Sequence, residues 1–311
     1  MPEIHPHVPI LVNDVLEHLV TNPNGIYLDG TVGFGGHASH ILKKLSPDGL
    51  LIGMDCDSDA LSYTTERLSK ISQNNFKLIH NNFRYYPEIL KKLKINKIDG
   101  LLLDLGMSSY ELDTPDRGFS FNSNGPLDMR FDISKGMAAM DYIHSESEAG
   151  LAKVIKSYGE ERYAKKIANS IVQCVKADKM STTYDLREAV LSVVWGQHRL
   201  KSVSRVFQAI RIKINDELES LSISLINAEG MINIHGRLAV ISFHSLEDRI
   251  VKKFIQRSSL SCICPKEIPI CVCNQIPTFN KVNRKAIIPS SGEISHNPRA
   301  RSAKLRLAER I

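Results

Sequence analysis

The sequence predicts an α/β fold in which a doubly wound, mostly parallel sheet is interrupted by an inserted all-helical domain. Short apolar strands alternate with helices over residues 1–106, as they do in parallel sheets that carry helices on both faces. Residues 107–203 show no strong strand signal, and the alternation then resumes. We therefore predict one discontinuous domain, residues 1–106 and 204–311, and an insertion, residues 107–203.

The first part of the sheet domain is predicted to contain four strands separated by helices. Three of these strands end in an aspartate, and the run Leu101-Leu102-Leu103 fits a strand that is buried on both faces. Helices are predicted at His37–Leu45 and Ala60–Ile71, and Pro47-Asp48-Gly49 is a turn signal. The predicted strands are Ile26–Asp29, Leu50–Asp55, Phe76–His80 and Ile98–Asp104.

The insertion is predicted to be helical, because a structureless loop of this length is unusual inside a compact domain. Ser145 with Glu148, and Thr182 with Asp185, have the spacing of capping boxes at two helix starts. The predicted helices are Ser145–Ser157, Glu160–Ala177 and Tyr184–Val194.

The elements after the insertion complete the sheet domain. Apolar residues recur every three or four positions from Phe207 to Leu225, which predicts one amphipathic helix. Leu238–Phe243 is predicted to be a buried strand, and Ser245–Asp248 to open a helix with acids at its positive end. The alternation in Ala303–Ala308 predicts an edge strand.

Composition and charge restrict the class of protein. The 311 residues are 42% hydrophobic and 24% charged, which is typical of a globular chain with a sizeable core. A net charge of +6 permits a polyanionic partner without requiring one. No stretch approaches the roughly 20 apolar residues of a membrane-spanning helix, and the first residues lack the pattern of a signal peptide. We therefore expect a cytoplasmic protein.

The segment Asp29–His37, DGTVGFGGH, is the most informative motif. It follows a predicted strand and opens a predicted helix, where glycines let the backbone turn sharply and approach a ligand. The second strand ends at Asp55, twenty residues after Gly35. A carboxylate in that position can accept hydrogen bonds from both hydroxyls of a ribose. The combination indicates an adenosine-containing cofactor.

The acid that begins this motif helps to choose the cofactor. The strict dinucleotide pattern G-x-G-x-x-G is absent, and Asp29 would repel a pyrophosphate but attract the amino group or sulfonium of S-adenosylmethionine. This favours S-adenosylmethionine, with an NAD-linked dehydrogenase as the alternative. Asp104 ends the fourth strand at the carboxyl edge, where ligands of open α/β sheets bind. It is predicted to border the methyl donor and an incoming amine, or alternatively to cap the next helix.

Four of the six cysteines lie in the string SCICPKEIPICVC. Their two C-x-C pairs could supply four thiolates to one zinc ion, although structural zinc sites more often use C-x2-C spacing. A redox-sensitive loop is the alternative, so no metal ligand is assigned. The other two, Cys56 and Cys174, are predicted to be reduced core residues. The clustered residues are Cys262, Cys264, Cys271 and Cys273.

Long sequence blocks distributed from His7 to Arg310 carry a family resemblance. They include GIYLDGTVGFGGHASHIL, RGFSFNSNGPLDMRFD, LAVISFHSLEDRIVKKF and NPRARSAKLRLAER. In these blocks the chain closely resembles the 16S ribosomal RNA cytosine-N4 methyltransferases, the MraW family. The resemblance implies a Rossmann-like class I methyltransferase domain, S-adenosylmethionine as cofactor and 16S rRNA of the small ribosomal subunit, in its decoding region, as substrate. It also implies that the helical insertion recognises RNA.

The resemblance further implies a set of cofactor contacts. Phe83 lies just after the third strand, where its ring could stack on adenine, although an isolated phenylalanine is more often a core residue. Glu111 stands where the family commonly has glutamine. A glutamate keeps the length and the acceptor oxygen but loses the amide donor, and it could still bind the amino group of the cofactor. The implied contacts are Gly35, Gly36, His37, Asp55, Phe83, Asp104 and Glu111.

Methylation of the exocyclic N4 of cytosine sets the chemistry expected of the site. That amine is a weak nucleophile, so holding it in line with the methyl sulfonium removes much of the barrier. A hydrogen-bond acceptor for one N4–H group assists the attack of the amine further. Asp104 is the predicted acceptor, with Ser108 or Ser109 in support, and no cysteine nucleophile is needed.

A target base must leave its stack to reach such a pocket, so single-stranded or loop RNA is the expected substrate form. Arginines are expected to contact its phosphates, although each alone is more often an ordinary surface or structural residue. A non-catalytic RNA-binding assembly factor remains the third alternative. The candidate RNA contacts are Arg117, Arg130, Arg205, Arg211, Arg249, Arg299 and Arg301.

Overall fold

The computed structural model describes residues 9–265, 270 and 272–311 of the chain. These residues form two compact units. The sheet unit comprises the described residues up to Gly106 together with Leu218–Ile311, and the helical unit comprises Met107–Glu217. In the described chain the helical unit thus runs from Met107 to Glu217.

The sheet unit is built on seven strands in the order β3-β2-β1-β4-β5-β7-β6. Strands β1 to β5 run parallel, and β7 is antiparallel to both of its neighbours, β5 and β6. This is the predicted Rossmann-like, mostly parallel sheet. The strands are β1 (Ile26–Asp29), β2 (Leu50–Asp55), β3 (Phe76–His80), β4 (Ile98–Asp104), β5 (Ile232–Ser242), β6 (Phe279–Lys281) and β7 (Lys304–Arg310).

Helices connect the strands and make up the helical unit. Short 3-10 turns lie at Phe83–Tyr85, Pro115–Arg117 and Pro298–Ser302. The α-helices are α1 (Val12–Leu19), α2 (Gly36–Lys44), α3 (Ser58–Ser69), α4 (Tyr86–Lys92), α5 (Ser109–Asp113), α6 (Ala139–Ser145), α7 (Glu148–Gly159), α8 (Ala164–Lys176), α9 (Thr183–Leu191), α10 (Arg199–Asn215), α11 (Glu217–Met231), α12 (Ser245–Ser258) and α13 (Ser291–His296). Along the described chain, no helix combines the length and the apolar content that crossing a membrane requires.

Both faces of the sheet are buried, because successive strand residues point to opposite sides. Leu101 and Leu103 of β4 belong to the core that includes buried residues of α4, α11 and α12. Leu102, between them, belongs to the opposite core, which includes Val15 of α1 and Ile41 of α2. The continuous apolar runs of the sequence follow from this burial on both sides.

Strand β7 corrects one prediction. Its alternating pattern predicted an edge strand, but β7 lies between β5 and β6, with Ser242 of β5 opposite Lys304. The edge is formed instead by the three residues of β6, whose Phe279 pairs with Arg310. So short a strand carries no periodicity that the sequence could have revealed.

The predicted single helix from Phe207 to Leu225 is wrong, because the chain forms two helices there. Asp216 adopts a left-handed conformation with φ 49° and separates α10 from α11. Phe207 packs in the core of the helical unit, whereas Leu225 packs in the core of the sheet unit. A spacing of three or four residues continues across such a break, so periodicity alone cannot locate it.

The two predicted capping boxes have different outcomes. Thr182 caps α9, and its hydroxyl and the carboxylate of Asp185 bond reciprocally to backbone N–H groups, as predicted. Ser145 instead ends α6, so its predicted cap is wrong. The hydroxyl of Ser147 caps α7 by accepting the N–H of Gly150. Ser145 and Ser147 are both suitable N-cap residues in the sequence, but only Ser147 lies at the start of α7.

Candidate cofactor site

Three aspartates end adjacent strands at the same edge of the sheet. Asp29, Asp55 and Asp104 are the last residues of β1, β2 and β4, which are neighbours in the order β2-β1-β4. Since these strands are parallel, the three carboxylates meet at the carboxyl edge, where open α/β sheets bind their ligands.

The glycine motif forms a tight turn between β1 and α2. Gly33 and Gly35 have positive φ angles of 47° and 75°, which glycine adopts at little cost. The N–H of Gly33 donates to Asp55 Oδ2 at 2.7 Å. From α3, Thr64 Oγ1 donates to the carbonyl of Gly33 at 2.6 Å, and Arg67 donates to the carbonyl of Phe34 at 3.0 Å. The turn is therefore held rigidly from two sides.

Close packing explains a further glycine of the motif and places Phe83. A Cβ at Gly30 would lie 2.9 Å from Phe83 Cβ and 2.7 Å from Leu103 Cδ2, so no larger residue fits there. Phe83 is half-buried in the 3-10 turn after β3. The aromatic residue predicted to stack on adenine therefore lies directly beside the glycine turn.

Asp55 supports the loop and keeps acceptor capacity for a ligand. Its Oδ2 accepts the N–H of Gly33, and its Oδ1 accepts the N–H of Asp57 at 2.9 Å. Burial raises the pKa of Asp55 to about 6, although these backbone donors act in the opposite direction. A carboxylate has about four acceptor positions, and the N–H of Cys56 also bonds to Asp55, so acceptor capacity remains for a hydroxyl of a ribose.

Asp29 and His37 are buried beside Asp104. Burial raises the pKa of Asp29 to about 7, against the opposing effects of His37 and of the N–H of Thr31. Burial lowers the pKa of His37, but Asp104, Asp29 and Glu293 outweigh it, so that pKa is raised. His37 Nε2 lies 3.5 Å from Asp104 Oδ2. The imidazole of His37 thus lies where its positive charge, when it is protonated, offsets the negative charge of these acids.

Asp104 retains an unused acceptor. Its N–H donates to Thr31 Oγ1 at 2.6 Å, which fixes the end of β4. Its Oδ1 is buried and accepts no hydrogen bond from the described residues, and neither ring nitrogen of His37 forms one. Buried polar atoms are normally paired, so this oxygen is suited to a donor on a ligand.

The predicted residues that follow Asp104 in sequence belong to the helical unit. Ser108 caps α5, and its N–H and hydroxyl donate to Glu111 Oε2 at 2.7 and 3.0 Å. Arg117 lies 3.7 Å from Glu111 Oε1. Ser109 is the first residue of α5. The charge of Glu111 is therefore accommodated inside this unit by a capping box and an arginine.

The candidate RNA-contacting arginines fall into two groups. Arg117 and Arg211 are buried, and their guanidinium groups bond within the helical unit, Arg211 to Glu217 at 2.8 Å. Arg130 also pairs internally, with Asp128 at 2.7 Å. The exposed members are Arg205, which pairs with Glu161 at 3.3 Å, and Arg249, Arg299 and Arg301 of the sheet unit.

Several residues that shape the glycine turn were not predicted from the sequence. Thr31 and Gly33 lie within the glycine motif but were not assigned a role. Thr64 and Arg67 lie on α3, and no local pattern indicates that they support a loop thirty residues earlier. Only the fold brings these residues to the loop.

Comparison with known proteins identifies the family. Residues 4–311 match the MraW methylase family. The chain is 46% identical over 309 residues to ribosomal RNA small subunit methyltransferase H of Caldicellulosiruptor saccharolyticus, covering 99% of this chain and 100% of that protein. It is 45% identical over 314 residues to the protein of the same name from Trichlorobacter lovleyi, covering 100% of both chains.

Solved structures are more distant. A putative rRNA methylase from Clostridium thermocellum has a TM-score of 0.46 at 11% sequence identity, covering 96% of this chain and 95% of that one. The family match and the curated relatives extend over almost the entire chain, and their level of identity is high. The chain therefore belongs to the MraW methylase family.

Proposed function

We propose that this methylase transfers a methyl group from S-adenosylmethionine to the exocyclic N4 of a cytidine in 16S rRNA, within the small ribosomal subunit or its precursor. The reaction takes place in the cytoplasm, where that substrate is assembled. The observation that carries the proposal is the buried Asp104 Oδ1 without a partner among the described residues, at the end of a strand beside the glycine turn. The names of the curated relatives supply the class of RNA.

The carboxyl edge supports the choice of cofactor. Asp55 offers acceptors for the ribose hydroxyls, and Phe83 offers a ring for adenine. S-adenosylmethionine, when bound, supplies a methyl group on a positively charged sulfonium. Asp29 and Asp104 provide the negative charge that stabilises this cation and its amino group in a poorly solvated place. Gly35, Gly36 and His37 complete the contacts.

Asp104 is the proposed acceptor for the target amine. Its carboxylate accepts a hydrogen bond from one N4–H, which directs the nitrogen lone pair toward the methyl group. After methyl transfer the same carboxylate can accept the proton that the nitrogen loses. Holding the amine and the methyl donor together provides the remaining acceleration. Ser108 and Ser109, which follow in sequence, are proposed to support the amine.

RNA binding is proposed to use exposed basic residues. Arg205, Arg249, Arg299 and Arg301 are exposed and can contact phosphates. Arg117, Arg130 and Arg211 have internal partners, so their contribution is to shape the helical unit. That unit, Met107–Glu217, is proposed to recognise the RNA substrate.

The test uses small ribosomal subunits from cells that lack this activity, incubated with the full-length protein and methyl-labelled S-adenosylmethionine. Nucleoside mass spectrometry of the 16S rRNA should then detect N4-methylcytidine, and digestion should map it to one position. Methylation of cytosine C5, or label in another base, would refute the N4 assignment. Binding of both RNA and cofactor without transfer would favour an assembly factor, and binding of NAD instead of S-adenosylmethionine would favour an oxidoreductase.

A further inference from the structure

The cysteine loop between α12 and β6 brings three thiols together. The sulfur atoms of Cys262, Cys264 and Cys273 all lie within 4.8 Å of one another, and those of Cys262 and Cys273 are 3.9 Å apart. These thiols come from two C-x-C segments separated in sequence by the string PKEIPI. The described part of the loop thus contains a converged set of sulfur ligands, distinct from the cofactor site.

The sulfur spacing matches a tetrahedral metal–thiolate centre. A zinc–sulfur bond of about 2.3 Å places two sulfurs of a tetrahedral site about 3.8 Å apart, close to the distance between Cys262 and Cys273. A disulfide would require sulfurs only about 2 Å apart. The geometry therefore fits shared coordination of one ion better than a bond between the two cysteines.

Backbone donors are also directed at the sulfurs. The N–H of Ile263 donates to Cys273 Sγ at 3.4 Å, and the N–H of Val272 donates to Cys264 Sγ at 3.4 Å. Each C-x-C segment therefore donates to a sulfur of the other. Such N–H groups stabilise negative charge on sulfur, and the thiolate is the form that binds a metal.

The described apolar residues of the loop do little to fix its conformation. Ile263, Ile270, Val272 and Ile276 are all exposed, so these four side chains build no local core around the cysteines. Small segments without a core are commonly stabilised by a disulfide or a structural metal. Soft thiolate ligands select zinc over magnesium or calcium.

We propose that this loop binds one structural zinc ion through the thiolates of Cys262, Cys264 and Cys273. As each zinc–sulfur bond forms, the thiol proton is released to solvent, so binding strengthens as pH rises. The ion fixes the chain between α12 and β6 and takes no part in methyl transfer. Cys271 lies outside the described residues, and the variant Cys271→Ser tests whether it is a fourth ligand.

The test begins with full-length protein purified under reducing conditions without chelator. Elemental analysis should find one zinc per chain. Replacement of zinc by cobalt should give the visible d–d bands of a tetrahedral ion and a sulfur-to-cobalt charge-transfer band. Metal-free protein with freely reactive thiols, or a mass lower by two hydrogens that shows a disulfide, would overturn the proposal.

Variants identify the ligands. Cys262→Ser, Cys264→Ser and Cys273→Ser should each lose zinc and the cobalt spectrum, whereas Cys174→Ser, a half-buried cysteine in the helical unit, should retain both. Cys271→Ser determines whether the site uses three thiolates or four. Retained binding of S-adenosylmethionine shows that each variant is folded. Zinc that stays bound in all three ligand variants would be adventitious and would refute the site.

Discussion

At the scale of single residues, the cofactor site is governed by the cost of burying negative charge. Burial raises the pKa of Asp29 to about 7 and that of Asp55 to about 6, so both acids resist ionisation in the apo protein. His37, beside Asp104, offsets part of this cost. A positively charged ligand offsets more of it, which explains why a site with so many acids suits a sulfonium cofactor.

Asp104→Asn should remove the proposed acceptor while preserving the shape of the side chain. We expect kcat for methyl transfer to fall by roughly 100-fold or more, with a smaller effect on binding of S-adenosylmethionine. Single-turnover transfer at saturating cofactor measures this directly. Asp48→Asn, at an exposed turn, is the matched control and should remain active. Near-wild-type turnover of Asp104→Asn would exclude the assignment.

Asp55→Asn should act mainly on cofactor affinity. The variant loses charge-assisted bonds to the ribose hydroxyls, so the Kd for S-adenosylmethionine should rise roughly tenfold to a hundredfold. Asp55 also accepts the N–H groups of Gly33 and Asp57, so thermal unfolding must accompany the calorimetry. An unchanged Kd in a stable variant would rule out the ribose contact.

The raised pKa values also predict a dependence on pH. From about pH 4 the folded protein holds protons that the unfolded chain, with an aspartate pKa of 3.8, has released: on Asp55 up to about pH 6 and on Asp29 up to about pH 7. The free energy of unfolding of the apo protein should therefore fall as pH rises through this window. The raised pKa of His37 acts in the same direction, because its contribution is lost as pH rises through the folded value.

Cofactor affinity should show the opposite trend. Binding needs ionised carboxylates, so the Kd for S-adenosylmethionine should decrease as pH rises from about 5.5 to 7.5, by up to about tenfold per pH unit for each required carboxylate. Calorimetry in buffers of different ionisation enthalpy should detect released protons. Asp29→Asn should flatten the profile, and a wild-type Kd that does not vary with pH would contradict this electrostatic account.

At the scale of elements, the strands that were easiest to predict are those buried on both faces. The observed bounds of β1, β2 and β4 coincide with the predicted ones, because continuous apolar runs ending in an acid are distinctive. The bounds of β3 also coincide, although this strand ends in His80 and has no fully buried residue. The start of β5 was missed because Ile232–Gly236 includes polar, exposed residues. The break at Asp216 was missed because a left-handed residue leaves no trace in apolar spacing.

The candidate site was predictable to a similar, limited extent. Asp55 and Asp104 could be recognised because each ends a predicted strand, and the glycine motif because it opens a predicted helix. The support of the turn by Thr64 and Arg67, and the contact of Gly30 with Phe83, join residues far apart in sequence. Such contacts follow from the packing of the fold, which a single sequence does not specify residue by residue.

Helix α5 gives an element-scale prediction about Glu111. Glutamine at this position keeps the reciprocal capping bond, so Glu111→Gln should lower the free energy of unfolding less than Glu111→Ala, which removes the bond and should cost about 1–2 kcal/mol. Since both carboxylate oxygens already have neighbours in the helical unit, cofactor affinity should not change. A tenfold loss of affinity in an equally stable Glu111→Gln variant would instead indicate a cofactor contact.

At the scale of the whole molecule, the positive charge that bears on RNA binding is the charge near the carboxyl edge of the sheet, where the cofactor site lies. Lys304 begins β7 opposite Ser242, the last residue of the parallel strand β5. The preceding turn, Pro298–Ser302, therefore lies at the carboxyl edge of the sheet, and it carries the exposed Arg299 and Arg301. We therefore propose that these two arginines contact RNA phosphates at the carboxyl edge.

RNA affinity should consequently depend on salt and on the position of charge. With about four phosphate contacts to single-stranded RNA, one for each exposed arginine, affinity should fall roughly 50-fold between 50 and 200 mM salt. The double variant Arg299→Ala/Arg301→Ala should flatten that dependence. Lys92→Ala/Lys97→Ala removes the same charge from the opposite, amino edge, just before β4, and should leave the slope nearly unchanged. Equal effects of the two double variants on the slope would mean that net charge, rather than a located phosphate contact, determines RNA binding.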